Sequence, residues 1–307
     1  MPIAILDLGT NTFHLLIAES DGKGGWNTLV KNRMYVKLAE NGIQRIGEAP
    51  FERGLNALRQ FRTQLDEAGV PPENIRALGT AALRTAENAP EFLAQAWEIA
   101  RIRPESISGH REAALIHKGV RQAVPFPDNR VLIMDIGGGS VEFIIADREQ
   151  VYWQKSFPVG VAVLFREFHH SDPITPQEIQ QLLQYLETAL ADLWQALEQY
   201  PCPTLVGASG TFDVIDLFLL NPATKPEHYG YITLQAFDPL REKIIGSTLA
   251  ERQAMPLLPD ERVEMVVVAM VLIQYVLDRS EIQEIYTSAY AMKEGMLEEM
   301  LEVSSEW

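Results

Sequence analysis

The stretch DIGGGSVEF, residues 135–143, follows the apolar run VLIM and leads into IIAD. It places an acid at the end of a strand, then three consecutive glycines, then a second apolar strand. Glycine lacks a Cβ, so a backbone built from it tightens freely and brings its N–H groups within hydrogen-bonding reach of a ligand, the arrangement that holds phosphate. A glycine-rich β-hairpin turn with no ligand has the same composition. One such turn alone does not decide between the two.

The sequence contains the stretch twice. DLGTNTFHLLIAE, residues 7–19, aligns without a gap onto DIGGGSVEFIIAD, residues 135–147, at a constant offset of 128. The acid, the first glycine, a hydroxyl residue (Thr12, Ser140), Ile, Ala and a closing acid recur in register. An internal repeat of this kind predicts two related half-molecules. Each opens with a strand, a phosphate-sized turn and a return strand, and the expected arrangement sets the two turns facing one another across a cleft.

Bulk composition supports two globular domains: 307 residues, 47% hydrophobic and 22% charged. With 42 acids against 26 bases the formal charge is −16, which argues against a nucleic-acid binder, whose affinity rests on Lys and Arg at phosphates. A phosphate ligand of so acidic a chain needs a local basic cluster and divalent cations to screen it. The single cysteine, Cys202, excludes an intramolecular disulfide, and MPIAILDLG shows no basic leader, so a cytoplasmic protein is expected. The apolar run at residues 263–277 is too short to span a membrane and reads as a buried helix.

Along the chain, strands are expected over residues 3–38 with a glycine-rich turn at 21–25, and a helix over 50–68, where Phe51, Leu55, Leu58, Phe61 and Leu65 share one face. A short strand runs into a turn at residues 80–84. A helix starting near Pro90, a strand at RPESIS and a helix at GHREAALIHKGVRQAV follow. PFPDNR, residues 125–130, is the expected boundary, giving domains 1–124 and 125–307, with the last helix, about 289–303, packing back on the first. The second half repeats the strand–turn–strand opening, then shows a helical region at 176–200, a strand at TLVGASG opening a helix, the buried helix, a strand at EIYTSA and a final helix. This alternation is α/β, with a mixed sheet in each half.

Asp7 and Asp135 each end a strand beside a glycine turn. Carboxylates make sense next to phosphates when they hold Mg²⁺, directly or through water; capping the turn is the structural alternative. LVGASGT, residues 205–211, is a third glycine-rich turn at a helix start, suited to an anion. Neither a Walker A pattern nor a GxGxxG fingerprint occurs. Glu112 falls in the first turn of its helix, where acids are favoured by the dipole, and there a carboxylate is placed to accept a proton from water. Arg84 is the basic candidate for a phosphate. The neighbours His169 and His170 read as part of a surface loop, and Ser140 as a phosphate contact rather than a nucleophile.

DLGTNTFHLLIAE, GTAALRTAEN, ISGHREAALIHKGV, VLIMDIGGGSVEFI, SFPVGVAVL, LVGASGT and SAYAMKEGML, in this order, resemble the exopolyphosphatase and guanosine pentaphosphate phosphohydrolase family of the actin-like superfamily. The resemblance implies two actin-like (ribonuclease H-like) domains of mixed sheets flanked by helices, an active site in the interdomain cleft, and Mg²⁺- or Mn²⁺-dependent removal of a terminal phosphate from polyphosphate or guanosine pentaphosphate. It assigns Glu112 as the base that activates water. Phosphate binding maps onto Gly9, Thr10, Asn11, Thr12, Arg84, Gly137, Gly138, Gly139, Ser140, Gly207, Ser209 and Gly210, and the metal onto Asp7, Asp135 and Glu142. Arg111 departs from the family pattern in place of the first of two adjacent glutamates; Ala81, Val141 and Lys293 also differ.

The reading is therefore a phosphoanhydride hydrolase, cytoplasmic, with no nucleic-acid or membrane partner and a homodimer as the default. Its rivals are a kinase of the same superfamily and a non-catalytic sensor of polyphosphate or of guanosine penta- or tetraphosphate. Lys31, Arg33, Lys37, Arg45 and Arg84 are the expected basic patch.

Overall fold

The computed structural model describes residues 1–22, 25–127 and 129–304. Two compact units are found, Met1–Gly119 with Met292–Trp307, and Val120–Ala291. In chain order the first unit contributes β1 (Ile3–Leu8), β2 (Thr12–Ser20), β3 (Trp26–Tyr35), α1 (Glu48–Glu67), β4 (Ile75–Gly79), α2 (Ala81–Thr85), α3 (Ala89–Ala100), β5 (Pro104–Ser106) and α4 (Gly109–Ala123). Then come β6 (Val131–Ile136), β7 (Val141–Ala146), β8 (Val151–Phe157), α5 (Val161–Phe168), α6 (Pro176–Ala189), α7 (Ala191–Gln199), β9 (Thr204–Ala208) and α8 (Gly210–Leu219). The rest are β10 (Tyr229–Thr233), α9 (Leu234–Ile245), α10 (Leu249–Gln253), α11 (Val266–Asp278), β11 (Glu284–Ser288) and α12 (Met292–Ser304).

The first unit is a five-stranded sheet ordered β3-β2-β1-β4-β5, antiparallel from β3 to β1 and parallel from β1 to β5. Its β1 is apolar on both faces, Ile3 to Leu6 all buried, as a strand covered on both sides must be. Helix α1 turns Phe51, Leu55, Leu58, Phe61 and Leu65 inward at helical spacing. Phe92 of α3 meets Phe13 and Phe51 edge-on at centroid separations of 6.2 and 5.2 Å. Helix α12 belongs to this unit, and Gly295 lies so close to α4 that a Cβ there would stand 1.9 Å from the Leu115 carbonyl oxygen.

The second unit is a six-stranded sheet ordered β10-β11-β9-β6-β7-β8, with β6 antiparallel to β7 and parallel to β9 and β11 added beyond β9. Helix α11 is apolar all round and buried over most of its length, which is why its sequence shows no polar face.

The repeat read from the sequence is a repeat of backbone. Asp7 pairs with His14 and Asp135 with Glu142, the same register at the same offset, and the ladder to the third strand slips at Ile17/Ala18 and at Ile145/Ala146. Both slips fall at corresponding residues, so the bulge was duplicated with the hairpin.

Residues 81–85 form the helix α2 rather than a turn, and the helices expected over 176–200 are two, parted at Leu190. The compact units divide at Gly119/Val120, inside α4, not in the proline-rich segment at 125–130, of which Asp128 lies outside the described residues, as do 23–24 of the turn at 21–25. Prolines mark where a helix stops, whereas α4 passes from one unit to the next unbroken. His169 is not a surface residue: it is 8% exposed and edge-on to Phe165 at 5.2 Å, while His170 is exposed.

Candidate active site

In the first hairpin turn the Gly9 N–H donates to the Thr12 carbonyl (3.1 Å); in the second the Gly137 N–H donates to that of Ser140 (3.0 Å). A Cβ on either glycine would sit 2.8 or 2.9 Å from the same carbonyl oxygen, so both positions require glycine.

Each turn also has its carbonyls drawn inward. The Thr10 carbonyl accepts from Leu38 N–H (2.7 Å), the Gly137 carbonyl from Val161 N–H (3.0 Å) and the Gly138 carbonyl from Ala162 N–H (2.9 Å). Across a trans peptide the next N–H points the opposite way, so Asn11, Gly138 and Gly139 present theirs on the other side of the turn. Successive outward N–H groups make an anion-binding concavity. The first turn of α5 thus buttresses the triple glycine, and Gly160 makes this possible: a Cβ there would lie 2.4 Å from the Gly138 oxygen.

At the third turn, Gly207 leaves room for the Phe212 ring, which a Cβ would meet at 2.0 Å, and Ser209 holds a positive φ of 69°. A Cβ on Gly210 would stand 1.8 Å from Arg262 Nη2. Arg262 therefore places a cation at the start of α8. Sequence reasoning missed it and Gly160 alike: Arg262 stands in DERVEM, which has no pattern, and Gly160 is a single glycine in SFPVGVAVL.

Glu112 sits where the sequence put it. Ser108 opens α4, its Oγ accepting from Arg111 N–H (3.2 Å) and its carbonyl from Glu112 N–H (3.0 Å). Glu112 is 7% exposed, and its Oε2 accepts from Arg84 Nη1 at 2.9 Å. Arg84 Nη1 also reaches the Ile107 carbonyl at 3.0 Å. Arg84 lies in α2, and the Ala82 N–H of that helix donates to Thr10 Oγ1 (3.1 Å). A chain of contacts therefore runs from the first turn through α2 to the carboxylate. Thr10, 3% exposed, acts in it as a helix cap.

The basic residues expected to form a patch have different immediate surroundings. Arg45 lines a pocket of 360 Å³ with Glu48, Glu52 and Glu91, Lys37 lies over the Tyr35 ring at 5.3 Å, and Arg84 is held by Glu112. Lys31 and Arg33 are exposed on β3.

The profile of the Ppx/GppA phosphatase family matches residues 16–304. The chain belongs to this family. It is similar to an exopolyphosphatase from Cytophaga hutchinsonii, 36% identical over 99% of this chain and 98% of that one, with a TM-score of 0.93. A guanosine-5'-triphosphate,3'-diphosphate pyrophosphatase of Aeromonas salmonicida is 31% identical over 301 residues, 96% of this chain but 58% of that protein. The Aquifex aeolicus PPX-GPPA enzyme, 24% identical with a TM-score of 0.78, shares the fold. The protein is accordingly a hydrolase of phosphoanhydrides, and its two mixed sheets flanked by helices are the family's architecture.

Among the described residues no group of three or more His, Cys, Asp or Glu side chains is arranged to hold a metal ion. Asp7 and Asp135 each end a strand beside a hairpin turn, each within its own unit. Glu142 is placed differently: 1% exposed, its Oε1 accepts hydroxyls from both Ser140 and Ser156. No helix among the described residues is long and apolar enough to cross a membrane.

Proposed function

We propose that this phosphatase removes the terminal phosphate from linear phosphoanhydrides, inorganic polyphosphate and guanosine pentaphosphate, by attack of water. The observation that carries the reading is the buried Glu112 carboxylate at the start of α4, held by Arg84. A general base must be ionised and fixed within reach of the proton it takes. A guanidinium on Oε2 serves both needs, and Oε1 is the oxygen assigned to the water. Water attacks the terminal phosphorus in line, its proton passes to Glu112, and the bond to the leaving phosphate breaks.

Outward N–H groups of the two hairpin turns, with Gly207, Ser209 and Gly210 at the third, are assigned to the phosphate oxygens. Arg84 uses Nη1 within the protein, and its Nε and Nη2 remain for a phosphate oxygen. Asp7 and Asp135 would hold Mg²⁺ or Mn²⁺, which when bound screens charge on the phosphates. The relatives' names support both substrates: one is an exopolyphosphatase, another a pyrophosphatase of the guanosine nucleotide. A cytoplasmic homodimer completes the proposal.

Phosphate release with Mg²⁺ or Mn²⁺ from long polyphosphate, tripolyphosphate, guanosine pentaphosphate and ATP, with Glu112→Gln alongside, tests it. Release that depends on Glu112 is expected. Binding without release under either metal would make the protein a sensor.

A further inference from the structure

Glu142 is the second residue of β7, directly across from Asp135 on β6 and from Ser156 on β8. Its Oε1 receives Ser140 Oγ at 2.6 Å and Ser156 Oγ at 2.6 Å. A carboxylate oxygen has two lone pairs and accepts both O–H donors, so each serine commits its hydrogen to Glu142.

A serine hydroxyl carries one hydrogen. That of Ser140 is committed to Glu142, so toward anything else Ser140 offers lone pairs alone. A phosphate oxygen is itself an acceptor and finds no donor there. A divalent cation, or a water in its shell, does find a partner.

The first hairpin differs at the deciding position. Thr12 corresponds to Ser140, but the residue corresponding to Glu142 is His14, which stands across from Asp7. The position that takes the hydrogen of Ser140 is an imidazole in the first hairpin and a carboxylate in the second, so the duplicated turns have diverged there.

Resting on the function proposed above, we infer that Ser140 Oγ is a ligand of the divalent cation and not a phosphate donor, with Glu142 and Ser156 fixing its orientation. Glu142 accordingly acts through Ser140 and is a positioning residue.

The test separates metal from anion. Mn²⁺ affinity is measured by electron paramagnetic resonance, and tripolyphosphate affinity by calorimetry in EDTA, for wild type, Ser140→Ala, Ser140→Cys and Thr12→Val. Ser140→Ala is expected to weaken Mn²⁺ binding by about tenfold or more while leaving metal-free tripolyphosphate binding unchanged. Thr12→Val should do the reverse. Ser140→Cys preserves side-chain size and should bind Cd²⁺ with a thiolate-to-metal ultraviolet band, since soft thiolates select such ions. Wild type provides the blank, because burial pushes its one thiol, Cys202, up to about 12.

Loss of metal-free tripolyphosphate binding in Ser140→Ala with Mn²⁺ binding intact would overturn the inference, as would a folded Ser140→Cys without the band. A wild-type protein that binds neither Mn²⁺ nor tripolyphosphate would instead overturn the proposed function, and the inference with it.

Discussion

Arg84 Nη1 lies 2.9 Å from Glu112 Oε2, and the same nitrogen reaches the Ile107 carbonyl, two residues before the helix that carries Glu112 begins. The arginine thus holds both the carboxylate and the chain leading into its helix. Replacing Glu112 by Gln keeps the shape and removes the base. Turnover should fall by about two to four powers of ten with tripolyphosphate binding retained, checked by phosphate release and calorimetry. Near-normal turnover in a folded variant would remove Glu112 from the role.

Arg84→Lys keeps the charge but loses the fork. A single ammonium cannot span Ile107, Glu112 and a phosphate oxygen, so kcat should fall and KM rise together, read from steady-state kinetics. A change in KM alone would mean that Arg84 only binds substrate.

Gly160→Ala tests the buttress behind the triple glycine. Its Cβ would press on the Gly138 and Gly139 backbone at 2.4 Å. Overpacking of this kind costs about 1–3 kcal/mol, and the turn has to shift to relieve it. Activity should drop further than the melting temperature alone explains. Full activity would show that the turn tolerates displacement.

Arg111, the departure from the family pattern, grips Glu299 of α12 with both terminal nitrogens, and Lys118 adds a contact to the same carboxylate at 3.3 Å. Burial alone would raise the Glu299 carboxyl, but Arg111 and Lys118 bring it below the ordinary value of 4.5. A lowered folded value contributes stability above the ordinary pKa and loses it as pH falls below. Arg111→Ala should cost about 0.5–1 kcal/mol near neutral pH and less in acid, since the pair is partly solvated. Melting curves across that range check it, and the Arg111→Glu/Glu299→Arg exchange should restore part of the loss.

His169 gives stability a second pH dependence. Burial, followed by the neighbouring Arg252 guanidinium, lowers its pKa from 6.5, while Glu178 and Asp172 pull the other way. The folded protein keeps the imidazole neutral where the unfolded chain protonates it, so stability should decline as pH falls below 6.5. His169→Gln removes this titration. Melting temperatures between about pH 5 and pH 8 should show a shallower decline in the variant, and equal slopes would count against it.

The duplicated hairpin was legible because everything that defines it is local. Two apolar strands, a glycine turn and their acids lie within residues 3–20 and again within 131–147, and register and bulge recur with them. Asp7, Asp135, Glu112 and the glycine turns could be marked for the same reason. What each side chain does with its hydrogens could not. Ser140 and Glu142 are two residues apart in sequence, yet the hydroxyl commitment appears only once β8 brings Ser156 to the same oxygen.

Sequence by itself determined the α/β class, the two related halves and the positions of the turns, since each rests on spacing or composition that survives without coordinates, and its motifs carried the resemblance to the family. Tertiary structure decided the pairings: Arg84 with Glu112, 28 residues apart, Arg111 with Glu299, 188 apart, Gly160 behind the triple glycine and Arg262 over Gly210. Hydrogen bonds and close packing act over a few ångströms, and which distant residues come within that range depends on the path of the whole chain.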